Sequence, residues 1–278
     1  MKTTLLAAAA VAAMAIPGAA FAQSETAVDL SGFYVGVGVA LSEADDGIND
    51  QIYFDPQRNG TYTPQLATAS GANAFSPGFC QGYGTVSPAN GCKNESAKRE
   101  ISVRAGYDGM VGSNIVAGLL GEYAFHGPTD AVTAFSTTPA SYTIARKMDG
   151  VAAMRGRLGY SPNGMGGFFY VTGGVAYGKM KHAFSTNNTA NTFTPVDADK
   201  WQLGGQVGGG VEIMHRSGVA VNLEYLYNRF RDNDYYVAVG QGSAPATNPF
   251  VLGGGTNMRM STQNFDYHTF KVGLSYKY

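Results

Sequence analysis

The stretch "KVGLSYKY" (271–278) decides the fold. Val272, Leu274, Tyr276 and Tyr278 fall on one parity, and Lys271, Gly273, Ser275 and Lys277 on the other. A strict period of two predicts a strand with one apolar and one polar face. Terminal residues fray unless they are tied down, so an alternating, aromatic-ended strand here implies that both faces are in use. What each face meets is read from the rest of the chain.

The alternation recurs. "GFYVGVGVAL" (32–41) sets Phe33, Val35, Val37 and Val39 against Tyr34, Gly36, Gly38 and Ala40. "EISVRAGYDG" (100–109), "IVAGLLGEYAF" (115–125) and "VAAMRGRLGY" (151–160) repeat the pattern, with Arg104, Asp108, Glu122, Arg155 and Arg157 on the polar side. So do "GFFYVTGGVAYG" (167–178), "WQLGGQVGGGVEI" (201–213), "GVAVNLEYLYNRF" (218–230) and the final 265–278, which contribute Glu212, Glu224 and Lys271. About eight such segments predict an all-β, antiparallel up-and-down transmembrane β-barrel. The connections alternate as well. Short links at 110–114, 161–166 and 214–217 separate long ones at about 42–99, 126–141, 182–199 and 231–263. Short periplasmic turns and long extracellular loops are the outer-membrane rhythm.

Export is written at the N-terminus. "MKTTLLAAAAVAAMAIPGAAFA" (1–22) has Lys2, an apolar run broken by Pro17 and Gly18, and a small-x-small site at Ala20-Phe21-Ala22. It predicts a cleaved secretory signal peptide over 1–22 and a barrel domain over 23–278. The net charge of −1 shows no concentration of bases, so no nucleic-acid partner is expected. Glycine (38), tyrosine (17) and phenylalanine (15) are abundant while charged residues make up only 14%, a balance that suits strands, membrane interfaces and crowded backbones. In an oxidising compartment Cys80 and Cys92, the only cysteines, are expected to form a disulfide within the long first loop.

A soluble barrel of the lipocalin kind points its apolar parity inward and covers its outside with charge. Here the polar parity is sparse and glycine-interrupted, while the apolar parity is continuous and punctuated by tyrosine. The apolar face is therefore assigned to lipid, flanked by aromatic girdles, and "KVGLSYKY" closes onto "GFYVGVGVA" to remove the sheet edge. A soluble periplasmic binder stays as the alternative. Arg104, Asp108, Glu122, Arg155, Arg157, Glu212, Glu224 and Lys271 then share the lumen. Mixed signs from several strands predict an ion-pair network, either a plug or, in a diffusion porin, a gate.

Catalysis finds little support. Glu212 and Glu224 lie on adjacent strands beside bases that would neutralise them, and His126, His182, His215 and His268 are scattered. No G-x-S-x-G or metal-spaced histidine pair occurs. "GGQVGGG" (204–210) has no following helix to hold a phosphate and reads as strand. No enzyme activity, cofactor or metal is expected.

"GFYVGVGVA", "GRLGY" (156–160), "YVTGGVAYG" (170–178), "NLEYLY" (222–227) and "HTFKVGLSYKY" (268–278) resemble the small outer-membrane β-barrel proteins of alphaproteobacteria, the porin-family surface antigens of Brucella-type bacteria. In architecture these are similar to the OmpA-like transmembrane barrel. The resemblance implies residence in the outer membrane, lipid and lipopolysaccharide as neighbours, insertion by the barrel-assembly machinery, and a structural or surface-exposed role with a host or surface ligand at the loops. It also implies that Tyr278 is part of the assembly signal. Deleting Tyr278 is expected to lower the amount of protein inserted in vivo, measured by membrane fractionation. Unchanged membrane levels would remove that role.

Overall fold

Eight long strands each pair with their neighbours in sequence, and the first pairs with the last. The computed structural model describes residues 28–45, 50–84, 91–93, 97–162 and 166–278. The signal peptide expected over 1–22 lies outside them. In chain order the strands are β1 (Gly32–Ala44), β2 (Ile52–Asp55), β3 (Gly78–Gln81), β4 (Tyr83–Gly84), β5 (Cys92–Lys93), β6 (Lys98–Val111), β7 (Ile115–Phe125) and β8 (Thr129–Ser136). They continue as β9 (Ala140–Tyr160), β10 (Gly167–Thr186), β11 (Thr192–Val196), β12 (Asp199–Met214), β13 (Val219–Arg231), β14 (Tyr236–Gly240), β15 (Thr256–Met260) and β16 (Asn264–Lys277).

The barrel runs β1-β6-β7-β9-β10-β12-β13-β16 and returns to β1, all antiparallel. Closure matches Tyr34 with Lys277 and Ala44 with Tyr267, so Val35, Val37 and Val39 stand beside Tyr276, Leu274 and Val272 on the outside. A closed ladder satisfies every strand internally, which hydrocarbon demands because it offers no hydrogen bonds. The apolar parity faces outward, as alternation predicts: Val39 is 61% exposed and Leu203 66%, whereas Tyr34 on the opposite parity is 2% exposed.

Two aromatic girdles bound this apolar wall. Near the short turns, Phe33 packs on Tyr107 at 4.8 Å and Tyr276 on Tyr278 at 5.6 Å. Near the long loops, Tyr177 stacks on Trp201 at 5.1 Å and Tyr225 packs on Phe270 at 5.0 Å. Inward glycines let rings lie across the lumen. A Cβ on Gly106 would come within 2.5 Å of the Tyr34 hydroxyl.

The long connections depart from the solvated loops that their Thr, Ser, Asn and Gly content predicts. β9 and β10, 21 and 20 residues long, continue past the barrel rim as one hairpin. Beyond Gly150, β9 exchanges its partner β7 for β8, which carries β3 on its far side. His126, at φ 64°, makes the break that permits the exchange. Against this extension lies a second sheet, ordered β11-β14-β15-β2. Ile52, Phe54, Val132, Ile144, Val237 and Met258 are fully buried between them. Phe75 lies at the centre, 4.4 Å from Phe54, 5.3 Å from Tyr142 and 5.8 Å from Phe250 by ring centroid. The loops thus carry their own hydrophobic core.

Cys80 and Cys92 are disulfide-bonded with Cα atoms 5.8 Å apart. The bond ties β5 to β3, and β3 is hydrogen-bonded to β8, so it fastens the outer sheet and leaves the barrel wall untouched. Closing a loop of this size contributes about 2–4 kcal/mol by constraining the unfolded chain. Cys80→Ser with Cys92→Ser should therefore make residues 50–93 more sensitive to protease while barrel migration on unheated gels stays unchanged. Stoichiometric thiol labelling of the native, unreduced protein would show that the bond is absent.

Candidate functional site

The eight lumen residues expected from parity are all buried inside the barrel. Near the short turns, Arg157 donates to Asp108 from Nε at 2.6 Å and from Nη2, and to Glu212 from Nη1 at 2.9 Å. Its guanidinium lies over three rings, 4.7 Å from Tyr34, 5.1 Å from Phe168 and 5.4 Å from Tyr170. Such cation–π contacts gain strength where water is excluded. Lys277 donates to the same Asp108 at 2.7 Å and to the Leu30 carbonyl at 2.6 Å.

Midway along the lumen, Arg155 donates to Glu224 Oε1 at 3.0 Å, and the Tyr170 hydroxyl donates to Oε2, also at 3.0 Å. Arg155 Nη2 lies 3.4 Å from Glu122, which also accepts a bond from Lys271. Arg104 departs from the expected scheme. It sits directly across from Glu122 in register, yet it donates to Asn222 and Ser275 and, among the described residues, to no carboxylate. Glu122 is already taken by Arg155 and Lys271. Towards the long loops, Glu100 accepts from Ser42 at 2.9 Å.

Lys277 and Glu100 lie on the same parity as Lys271 and Arg104, so the alternation carried the signal for both. With them, Arg104, Arg155, Arg157, Lys271 and Lys277 balance Glu100, Asp108, Glu122, Glu212 and Glu224 in the lumen. Apolar layers close the network at both ends. Leu30, Val116, Phe168, Met214 and Ala220 pack at the short-turn end. Ala44, Met148, Met180, Phe230, Phe265 and Tyr267 pack at the long-loop end.

Residues 4–278 match the outer membrane protein beta-barrel domain family. The chain belongs to that family. It lies in the outer membrane, in contact with lipid, as an integral β-barrel. The outward apolar wall rules out the soluble binder, which would turn that parity inward. The barrel is 26% identical over 176 residues to the 31 kDa outer-membrane immunogenic proteins of Brucella melitensis biotype 1 and Brucella suis biovar 1. That match covers 63% of this chain and spans 65% of the length of each relative. Among solved structures, the outer membrane protein OprG from Pseudomonas aeruginosa matches with a TM-score of 0.45 and 12% identity, covering 91% of this chain and 99% of that one.

A second polar cluster, which the sequence did not single out, lies outside the membrane span. Arg146 donates to Asp130 at 2.8 Å and to Asp232 at 3.1 Å, and His182 Nε2 lies 2.9 Å from Asp232. Burial pushes the Asp232 carboxyl up, but the bonds from His182 and Arg146 outweigh it and hold the carboxyl below the ordinary range. His182 stacks on Tyr235 at 4.1 Å, so this cluster pins β8, β9 and β10 to the segment after β13. His268 bonds Tyr225 on the outer wall, and His215 bonds Ser217 in a short turn. The four histidines stay apart.

Removing one member of a buried ion network strands its partners and typically costs about 3–5 kcal/mol. Arg157→Ala leaves Asp108 and Glu212 without their guanidinium, so a loss of about that size is expected in urea unfolding followed by gel migration. Arg104→Met strands no carboxylate and should cost clearly less. Equal losses would mean that the carboxylate pairs carry no special weight.

Proposed function

We propose that this outer-membrane barrel is a surface-exposed structural protein whose lumen is plugged and whose working surface is the assembly built from the long loops. One observation carries the proposal. The ion-pair network fills the lumen and is sealed by apolar layers at both ends, while the loops enclose a separate hydrophobic core. A conducting lumen would gain nothing from the two seals. A receptor or antigen surface gains much from a rigid core beneath it, because a preorganised surface binds at lower entropic cost.

Barrels of this class turn their long loops to the cell exterior, and the Brucella relatives are named for their immunogenicity. Both support an antigenic or adhesive role, with a host or surface ligand met by the loop assembly. Insertion is assigned to the barrel-assembly machinery reading the last strand, and residues 1–22 to a signal peptide removed on export. No catalytic step belongs to this reading. His182 and Asp232 are enclosed beneath the loop assembly, bound to Arg146 and Tyr235.

Planar-bilayer recording tests the plug. The native protein is expected to give little or no steady conductance, and Arg157→Ala or Glu212→Ala to raise it by loosening the network. A large, steady native conductance that neither substitution alters would make the protein a diffusion porin.

A further inference from the structure

The short-turn end of the barrel is closed in part by a piece of chain that belongs to no strand. Residues 28–31, "VDLS", precede β1 and turn in under the lumen. Leu30 is 1% exposed and packs among Val116, Phe168, Tyr170 and Met214 of the wall. Among the described residues, two hydrogen bonds from the wall hold the segment. The Leu30 carbonyl accepts from Lys277 Nζ at 2.6 Å, and Ser31 Oγ accepts from the Met110 amide at 3.1 Å. Lys277 lies on β16 and Met110 on β6, the two neighbours of β1, so this seat exists only in the closed barrel.

The local sequence bends the chain inward. Asp29 Oδ1 accepts from the Ser31 amide at 2.9 Å, an Asx turn. Gly32 follows with φ 140°, a conformation that side chains rarely adopt. A Cβ there would also come within 2.6 Å of a Tyr278 backbone oxygen. The wall thus starts at a glycine pivot. Beside the segment lies a cleft of about 440 Å³, lined by Asp29, Ser31, His215, Arg216 and Ser217 among others, which gives it room to move. Withdrawal strands no charge, because Lys277 keeps Asp108 at 2.7 Å. Each of the two bonds that would break involves a side chain, so no strand ladder is cut.

A segment at the start of a domain frays unless it is tied down, and this one is tied by one buried side chain and two bonds. We propose that residues 28–31 are a detachable stopper. Leu30 closes the lumen from the side of the short turns, which is the periplasmic side. Withdrawal about Gly32 opens the layer behind it, and then Asp108, Glu212 and Arg157, to water while the wall stays paired. The chain ahead of Val28 is the handle, and a pull on it opens this end alone. Only what lies behind the stopper depends on the plugged-lumen reading.

The test puts a reporter thiol behind the stopper. Ala220, 1% exposed in the Leu30 layer, is replaced in the full-length barrel by Ala220→Cys. The protein is purified in mild detergent, and its labelling by a small charged methanethiosulfonate is followed by mass spectrometry. Cys80 and Cys92 are bonded to each other and do not react. A second protein carries Ala176→Cys, at a position 2% exposed in the layer at the long-loop end. Leu30→Ser, or deletion of residues 23–31, should speed labelling of the Ala220→Cys protein about ten- to a hundredfold, the factor that burial of one leucine is worth. Labelling of the Ala176→Cys protein and heat-modifiable migration should not change. Should the deletion fail to insert, Leu30→Ser decides, since it leaves every wall residue in place. Equal rates for the Ala220→Cys protein with and without the stopper overturn the proposal. So does a parallel rise for the Ala176→Cys protein, which would mean that the whole barrel has loosened. Planar-bilayer recording of the unsubstituted protein is scored separately. Steady native conductance overturns the plug, whereas the stopper stands or falls on the labelling rates.

Discussion

An outer wall immersed in hydrocarbon leaves the lumen as the only membrane-level place for charge, and a lumen of eight strands is too narrow to keep those charges hydrated. Side chains must solvate one another. Arg157 shows how far this is taken: two carboxylates meet its edge and three rings cover its faces. Sharing is the rule. Asp108 serves Arg157 and Lys277, and Glu122 serves Arg155 and Lys271. Each shared carboxylate ties its strand to at least one that is not its neighbour in the wall, so the network braces the barrel across its diameter.

A well-packed apolar lumen would be as stable as a buried ion network, or more so. The reason for charge lies in the sequence rather than in the finished fold. If the inward positions of β9 and β10 were Leu and Val, these 21- and 20-residue strands would become apolar runs long enough to span a bilayer as helices. Alternation with the inward Arg155, Arg157 and Thr172 denies the chain that alternative. Charge in the lumen is thus compatible with secretion as well as with the closed barrel.

Period-two patterning made the wall, the turns and the lumen parity legible, because each depends on residues within one strand. Pairing inside the lumen was only half legible. Parity places Arg104 and Glu122 face to face, but Glu122 is claimed by Lys271 on a distant strand, and that competition is a property of three dimensions. The loop core was not legible at all. The strands of its second sheet are four or five residues long, and Ile52 finds Met260 more than 200 residues away. Phe54, Phe75 and Phe250 stand among Gly, Ser, Thr and Asn that signal loops, and only their convergence reveals a core.

The hairpin of β9 and β10 crosses the rim without a break in pairing, apart from one register shift between Lys179 and Met180. Mechanically it is a mast stepped into the hull. A load applied to its outer end, by a bound antibody or a shearing cell surface, passes along two continuous hydrogen-bonded strands into the wall instead of being absorbed by a hinge. The part of the protein most exposed to force is therefore anchored by the part least able to yield. Variation that preserves this anchoring belongs at the tips between strands, around residues 137–139 and 187–191, where no ladder would be cut.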